Sequence, residues 1–205
     1  AEDEIGRFLQ GLAAREAEEI ARRVPKVLRH VAGYNLHRIP PAGANGFSMA
    51  DILIGSEGTL GFFSEIEVKL QPAPARKAIG VCQFPTFRAA MEATQHLVTL
   101  RPDAVELVDR TIIERSRLMP AFADVAKIMA PGEPQALLIV EFSGDADADL
   151  APRLNDLDAL MGDIGHPNAV VPVTDPAIQR RVWGVREAGL NIVMAMKGAA
   201  KPVSV

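Results

Sequence analysis

A glycine-rich segment, Ile54-Gly-Ser-Glu-Gly-Thr-Leu-Gly61, has the residue types and spacing best suited to chemistry in this sequence. It follows an apolar run and places three glycines within seven residues. Glycine has no Cβ, so its backbone N–H can approach a ligand closely, and successive exposed N–H groups bind anions. The segment matches neither the dinucleotide fingerprint nor the P-loop. Its spacing alone favours a tight turn that leads into a strand, with a phosphate or cofactor loop as the alternative.

Basic side chains near the C-terminal end form the second group of interest. Arg186 shares a predicted helix with Arg180 and Arg181, and Lys201 follows fifteen residues after Arg186. A planar guanidinium binds a carboxylate through two parallel hydrogen bonds, and a lysine adds a point charge. Without further information, three arginines on a polar helix indicate a solvated helix face.

Several other kinds of centre are excluded by composition. Cys82 is the only cysteine, so this chain has no internal disulfide and no cysteine-based zinc or iron–sulfur site, which indicates a reducing compartment. The net charge of −4 argues against a nucleic-acid partner. No apolar run approaches the roughly 18 residues of a membrane span. Four histidines lack the spacing of metal ligands: His30, His37, His96 and His166.

The elements before and around the glycine segment form a first region, residues 1–75. Residues 2–23 are predicted to form an amphipathic helix that Pro25 ends, because apolar residues recur at helical spacing. Residues 30–47 carry the prolines and glycines typical of a loop. Ser48 is a predicted cap for a short helix before the glycine segment.

A strand is predicted directly after the glycine segment, because apolar and polar residues alternate there with a period of two. Three residues are expected on its buried face: Ile66, Val68 and Leu70. Pro72 and Pro74 then indicate a short, stiff linker, which places a domain boundary near residue 75.

The second region, residues 76–205, has a regular order of elements. Strands are predicted at residues 78–84, 104–108, 136–142 and 169–173. Helices are predicted at residues 86–100, 109–118, 121–129, 145–164 and 176–188. The order is β-α-β, a helical insert, then β-α-β, which predicts an α+β class and a ferredoxin-like antiparallel sheet with helices on one face. Many unrelated proteins share this fold, so it does not specify a function.

Four motifs, spread over residues 30–204, resemble the FAD-linked oxidases of the vanillyl-alcohol-oxidase type. The glycine segment, with a following strand that ends in Leu70-Gln-Pro, is similar to the family's late FAD-contacting loop. Upstream, His30-Val-Ala-Gly-Tyr-Asn-Leu36 is similar to a Gly-Tyr-x-Leu segment of the family. Downstream, Trp183-Gly-Val-Arg-Glu187 and Lys201-Pro-Val-Ser204 resemble the substrate-domain helix and the stretch that follows it.

The resemblance implies FAD as the cofactor. The first region would then be the C-terminal part of an FAD-binding domain with an N-terminal helical insertion, and the second a truncated substrate domain. The residues that correspond to FAD contacts of the family are Tyr34, Asn35, Gly55, Ser56, Glu57, Gly58, Thr59 and Gly61. Tyr34 has a second interpretation, as a core aromatic whose hydroxyl finds a partner.

The resemblance also implies a dehydrogenase that oxidises a D-2-hydroxy acid of the lactate, glycolate or 2-hydroxyglutarate type by hydride transfer to FAD. Arg186 and Lys201 would hold the substrate carboxylate. Electrons would pass to a quinone, a cytochrome or an iron–sulfur centre, and any iron–sulfur cluster or divalent metal would bind outside this chain. A cytoplasmic location, or one peripheral to the inner membrane, is expected.

Two features of the family have no counterpart in these 205 residues. They are the early glycine-rich loop that holds the FAD pyrophosphate and the histidine-rich stretch that supplies a base or metal ligands. We therefore expect an internal fragment of a larger enzyme, inactive by itself, with its catalytic histidines beyond the chain end. The alternative is a non-catalytic ligand-binding or regulatory module with a ferredoxin-like fold over residues 76–174.

Overall fold

A computed structural model of the chain describes residues 2–27, 33–40 and 48–194. The chain divides into two compact units, residues 1–70 and residues 71–205. The first unit is helical where it has regular structure, and the second combines a sheet with helices. No helix in the described ranges is both long and apolar enough to cross a membrane.

In the described part of the first unit, the regular structure consists of three α-helices, α1 (Glu2–Arg15), α2 (Ala17–Arg23) and α3 (Met49–Leu53), and a 3-10 turn at Leu36–Arg38. The single helix predicted over residues 2–23 is therefore interrupted at Glu16, whose φ of −99° and ψ of 14° leave the helical range. Ser48 caps α3, since its Oγ accepts a hydrogen bond from the Ala50 N–H at 3.3 Å. The core of this unit is small and is centred on Ala13, Ile39 and Ile52.

The strand predicted after the glycine segment is absent from the described structure. Residues 65–74 have no regular secondary structure. Ile66, Val68 and Leu70 are 69%, 66% and 86% exposed instead of buried. A strand needs a neighbour to pair its backbone N–H and C=O groups, and no described residue of this unit forms one. This prediction was wrong because alternation in the sequence does not supply the partner strand.

The second unit is built on a four-stranded antiparallel sheet of spatial order β2-β3-β1-β4. Its strands are β1 (Arg76–Phe84), β2 (Ala104–Asp109), β3 (Ala136–Gly144) and β4 (Val170–Val173). Its helices are α4 (Phe87–Leu97), α5 (Arg110–Leu118), α6 (Ala123–Met129), α7 (Asp147–Asp163) and α8 (Pro176–Met194). The antiparallel sheet and the α+β class confirm the predicted fold class, and the strand order is the ferredoxin-like one.

One face of the sheet packs against α4 and α7, as expected for this topology. Phe84, Leu138 and Phe142 of the sheet meet Leu157 and Met161 of α7 in one buried cluster.

A glycine in β1 allows the close approach of α7. A Cβ placed on Gly80 would clash with Leu157 Cδ2, so a larger residue here would force the Leu157 side chain or α7 itself to shift.

The opposite face is also covered by helices, and here the prediction of helices on one face was wrong. Ile79, Val81 and Ile139 of the sheet share a second buried cluster with residues of α5, α6 and α8, among them Val182 and Val185. The helical insert and α8 thus form a third layer. The physical reason is visible in β3, whose residues 136–142 are all buried, because a strand that is apolar on both sides must be covered on both sides.

Candidate functional site

The candidate cofactor residues of the first unit lie together. The Tyr34 hydroxyl is 2.8 Å from Thr59 Oγ1, and Thr59 Oγ1 donates to the Ser56 carbonyl oxygen at 2.6 Å. Asn35 Nδ2 donates to the Ile54 carbonyl oxygen at 3.1 Å. Tyr34 and Asn35 are therefore hydrogen-bonded to the glycine loop, which we define as residues 54–61. Tyr34 is 45% exposed, so its ring is not part of a core formed by the described residues, although its hydroxyl has a partner.

The glycine loop contains the tight turn that its spacing favours. The Thr59 N–H donates to the Ser56 carbonyl oxygen at 2.9 Å. The two residues between them, Glu57 and Gly58, have φ of 51° and 78°, the left-handed values of a type I′ turn. A Cβ added to Gly58 or Gly61 would have no atom within 4 Å. The backbone at these glycines is therefore open to a flat ligand.

Ser56 provides the most direct test of whether the loop fits a cofactor. The residue is only 2% exposed, and its Oγ has no hydrogen-bond partner among the described residues. A buried hydroxyl without a partner is unfavourable and calls for a missing donor or acceptor. A buried unpaired hydroxyl beside open glycine backbone fits a flat, polar cofactor such as FAD.

In the second unit, Arg186 on α8 points to the sheet. Its Nε donates to Glu106 Oε2 of β2 at 2.9 Å, and its Nη2 lies 2.9 Å from the same oxygen. The two side chains are 47% and 35% exposed. Arg186 is therefore exposed to solvent, but one edge of its guanidinium is held by a strand.

Two further polar side chains of α8 bind the sheet. Gln179 Nε2 donates to the carbonyl oxygens of Lys77 in β1 and Val173 in β4, at 2.8 and 3.1 Å. Trp183 Nε1 donates to Glu141 Oε2 of β3 at 2.7 Å. The indole of the motif that begins at Trp183 thus anchors the helix.

These contacts follow the spatial order of the strands. Gln179, Trp183 and Arg186 are spaced i, i+4 and i+7, so they lie on one face of α8. Gln179 contacts β4 and β1, Trp183 contacts β3, and Arg186 contacts β2. We call these contacts the α8 ladder. Because the α8 ladder attaches the helix to all four strands, the sheet fixes the position of Arg186.

Glu141 is the buried charge at the centre of the ladder. It is 6% exposed, and in addition to the Trp183 indole it binds Lys77 Nζ at 2.7 Å. Neither Glu141 nor Glu106 belongs to a sequence motif, so neither was predicted as a functional residue. The signal was present, because a carboxylate at a buried position of an apolar strand must have a charged or hydrogen-bonding partner.

A cavity of about 1000 Å³ lies beside the start of α8. Lys77, Glu141, Gln179, Arg180 and Trp183 are among its lining residues, but Arg186 is not. The cavity and the candidate carboxylate clamp are therefore at different places along the helix.

Several predicted site features lie outside the described residues. They are Lys201 with the segment to Ser204, and the first part of the segment that begins at His30. Among the described residues no group of three or more histidine, cysteine or acidic side chains is arranged to hold a metal. Burial raises the pKa of the Cys82 thiol to about 12, so this group is not a reactive nucleophile.

Comparison with known proteins gives the family. The model of the C-terminal domain of FAD linked oxidases matches residues 73–205. D-2-hydroxyglutarate dehydrogenase of Escherichia coli K12 is 27% identical over 97% of this chain, which spans 21% of that protein. D-lactate dehydrogenase of Anaerostipes hadrus is 24% identical over 74% of the chain, which spans 32% of that protein.

Glycolate oxidase subunit GlcD of Bacillus subtilis is 29% identical over 62% of the chain, which spans 23% of that protein. The chain thus corresponds to about a fifth to a third of the length of these relatives. These matches confirm the resemblance found in the sequence motifs. Because the family model covers most of the chain, the chain belongs to the family of FAD linked oxidases, C-terminal domain.

Proposed function

We propose that this chain is part of a flavin-dependent dehydrogenase that oxidises a D-2-hydroxy acid of the lactate, glycolate or 2-hydroxyglutarate type. The observation that carries the proposal is the family match over residues 73–205. The named relatives act on D-2-hydroxyglutarate, D-lactate and glycolate, and the chain spans only part of each. In this proposal residues 1–75 end an FAD-binding domain, and residues 76–205 belong to the substrate domain.

The glycine loop supplies the cofactor contacts. FAD, when bound, provides the hydride acceptor for the Cα–H of the substrate. Gly58 and Gly61 allow backbone to lie against the cofactor, since nothing occupies the space where their Cβ atoms would be. Ser56 contributes its unused hydroxyl. The other proposed contacts are Tyr34, Asn35, Gly55, Glu57 and Thr59.

Arg186 binds the substrate carboxylate in this proposal. A guanidinium matches a carboxylate with two parallel hydrogen bonds, which fixes the direction of the Cα–H as well as the position of the acid. Lys201 adds a second positive charge. The proton of the substrate hydroxyl passes to a base outside this chain, and the electrons pass on to a quinone, a cytochrome or an iron–sulfur centre.

The test uses the full-length protein to which the chain belongs. Flavin is identified by its absorption spectrum after purification, and the protein is then mixed anaerobically with D-lactate, glycolate or D-2-hydroxyglutarate. We expect at least one of these acids to bleach the flavin absorbance, and L-lactate or L-2-hydroxyglutarate to bleach it far more slowly. Protein that holds no flavin would favour the non-catalytic module instead, and bound flavin that none of the acids reduces would contradict the proposed substrate class.

A further inference from the structure

We propose that Glu106 is a positioning residue for the substrate carboxylate, because it holds the guanidinium of Arg186 in the orientation that binds the acid. The proposal rests on the proposed function, in which Arg186 is the carboxylate clamp. Glu106 itself does not touch the substrate. It acts through Arg186.

Glu106 acts on Arg186 from a rigid position in the sheet. Glu106 lies within β2, where it is paired with Ile139 of β3 in the antiparallel register. The Arg186 side chain is long and has several rotatable bonds, so by itself it samples many orientations. The contacts from Nε and Nη2 to Glu106 Oε2, both 2.9 Å, restrict those orientations by attaching the guanidinium to the sheet.

Glu106 occupies only one edge of the Arg186 guanidinium. An arginine has five N–H donors in one plane, and Glu106 takes the Nε and Nη2 edge. The described residues place no acceptor at Nη1 of Arg186. One Nη2–H and both Nη1–H groups are therefore available at the end of the guanidinium, which is the edge that binds a carboxylate with two hydrogen bonds.

The three arginines of α8, Arg180, Arg181 and Arg186, differ in their partners. Arg181 pairs with Asp124 of α6, which is itself a surface helix residue. Arg180 has no such partner among the described residues. Arg186 is thus the member of this group whose partner comes from a strand. The pair is also too exposed to add much to folding stability, so orientation is the better account of it.

The experiment measures steady-state kinetics of the full-length enzyme with the 2-hydroxy acid that reduces its flavin. We expect Glu106→Ala to lower kcat/KM about tenfold, because a misoriented clamp misplaces the Cα–H. Glu106→Gln keeps an oxygen that accepts from Nε, so it should stay within about threefold of wild type. In an Arg186→Lys background, Glu106→Ala should change kcat/KM less than about twofold, because lysine has no Nε edge.

Glu114→Ala is the matched control. Glu114 binds Arg110 Nε at 2.5 Å on α5, and their exposures of 49% and 54% resemble those of the Glu106 pair. This variant removes an equivalent ion pair away from Arg186 and should leave kcat/KM unchanged. Flavin content and thermal stability are measured for every variant.

The outcomes separate this inference from the proposed function. If Arg186→Lys is as active as wild type, the carboxylate clamp itself is wrong. If Arg186→Lys is impaired while Glu106→Ala is neutral or more active, the clamp stands and the positioning role is overturned. A structural role for Glu106 would also overturn the positioning role. It would show as an equal loss of kcat/KM in Glu106→Ala and Glu106→Gln, with lower thermal stability in both. Glu106→Ala would then lower kcat/KM by the same factor in the Arg186→Lys background as in the wild type.

Discussion

The first unit assembles its candidate residues from neighbouring parts of the chain, whereas the second unit assembles them from distant strands. Tyr34 and Asn35 reach a loop only some twenty residues away, and the loop closes on itself through Ser56 and Thr59. Arg186, in contrast, depends on Glu106, which is eighty residues earlier.

The packing around the two sets of residues differs in the same way. The first unit has a small core and exposes Phe62, Ile66 and Leu70, whose exposed fractions are 94%, 69% and 86%. The second unit has two buried clusters, one on each face of the sheet. The comparison indicates that the loop can take its shape locally, while the position of Arg186 depends on the whole sheet.

The largest effect is expected when a leucine is replaced by alanine in each of the two units, because the two leucines differ in burial. Leu157→Ala removes a fully buried side chain of α7 and should lower the free energy of unfolding of the second unit by about 2–5 kcal/mol. Leu70→Ala removes an 86% exposed side chain of the first unit and should change the free energy of unfolding of that unit by less than about 0.5 kcal/mol. Urea unfolding of the 205-residue chain measures both, with far-UV circular dichroism for the helices of both units and the fluorescence of Trp183, the only tryptophan, for the second unit.

A large loss of stability in the Leu70→Ala chain would contradict this difference in packing between the two units. It would mean that the exposed apolar residues after the glycine loop are buried in solution.

The next largest effect is expected on kcat/KM when Arg186, the proposed carboxylate clamp, is replaced. Arg186→Lys in the full-length enzyme keeps the charge but loses the planar two-point contact, so kcat/KM should fall roughly 10- to 100-fold. Lys201→Ala should act in the same direction, and the double variant should be less impaired than the product of the two, because both side chains hold one carboxylate. Steady-state kinetics and flavin occupancy are measured together. A fully flavinated Arg186→Lys enzyme with normal kinetics would remove Arg186 from the substrate site.

A smaller effect is expected from the turn of the glycine loop. Gly58 has φ of 78°, a conformation that costs a β-branched residue about 1–2 kcal/mol. Gly58→Val should therefore lower the flavin content of the full-length protein while leaving the unfolding of the second unit unchanged. Gly132→Val is a control, since Gly132 also has open space around its Cβ position but no left-handed φ. Loss of flavin in both variants, or in neither, would contradict the role of this turn.

The smallest effect at neutral pH is expected from Cys82, whose burial raises its pKa from 9.0 to about 12. Between these values the unfolded thiol ionises and the folded one keeps its proton, so folding stability should decrease as the pH rises through this range. At pH 7 both states are protonated and no contribution is expected. The alkaline decrease should be shallower in Cys82→Ala, as measured by urea unfolding at pH 8, 9 and 10. Equal slopes for the two proteins would show that the thiol is accessible in the folded state.

Much of the second unit could be predicted from the sequence because its elements have strong periodic patterns. The order of strands and helices gave the antiparallel sheet and its topology. The helices on the second face of the sheet were not predicted. The apolar run Leu137–Val140 is consistent with a strand buried on both faces, but a run this short also fits a strand that is buried on one face only. The predicted strand over residues 63–70 failed for the opposite reason, since its alternating pattern is local while the pairing of a strand requires a neighbouring strand.

The candidate site residues that could be predicted are those close to one another in the sequence. The glycine loop was predicted from residues that are consecutive in the sequence, and Tyr34 and Asn35 from a motif close to it. Glu106 and Glu141 were not predicted, because their partners on α8 are 80 and 42 residues away in the sequence. No spacing rule connects a single carboxylate in a strand with an arginine or an indole so far along the chain.

The α8 ladder limits how this helix can change length during evolution. Each residue of an α-helix turns the chain by roughly 100°, so one residue inserted between Gln179 and Arg186 would rotate every later side chain away from its strand. The insertion would separate Trp183 or Arg186 from its carboxylate even if every residue type were retained. Substitutions on the outer face of α8 are free of this constraint. We therefore expect relatives of this chain to vary in composition along the segment, but to keep the number of residues between these contacts constant.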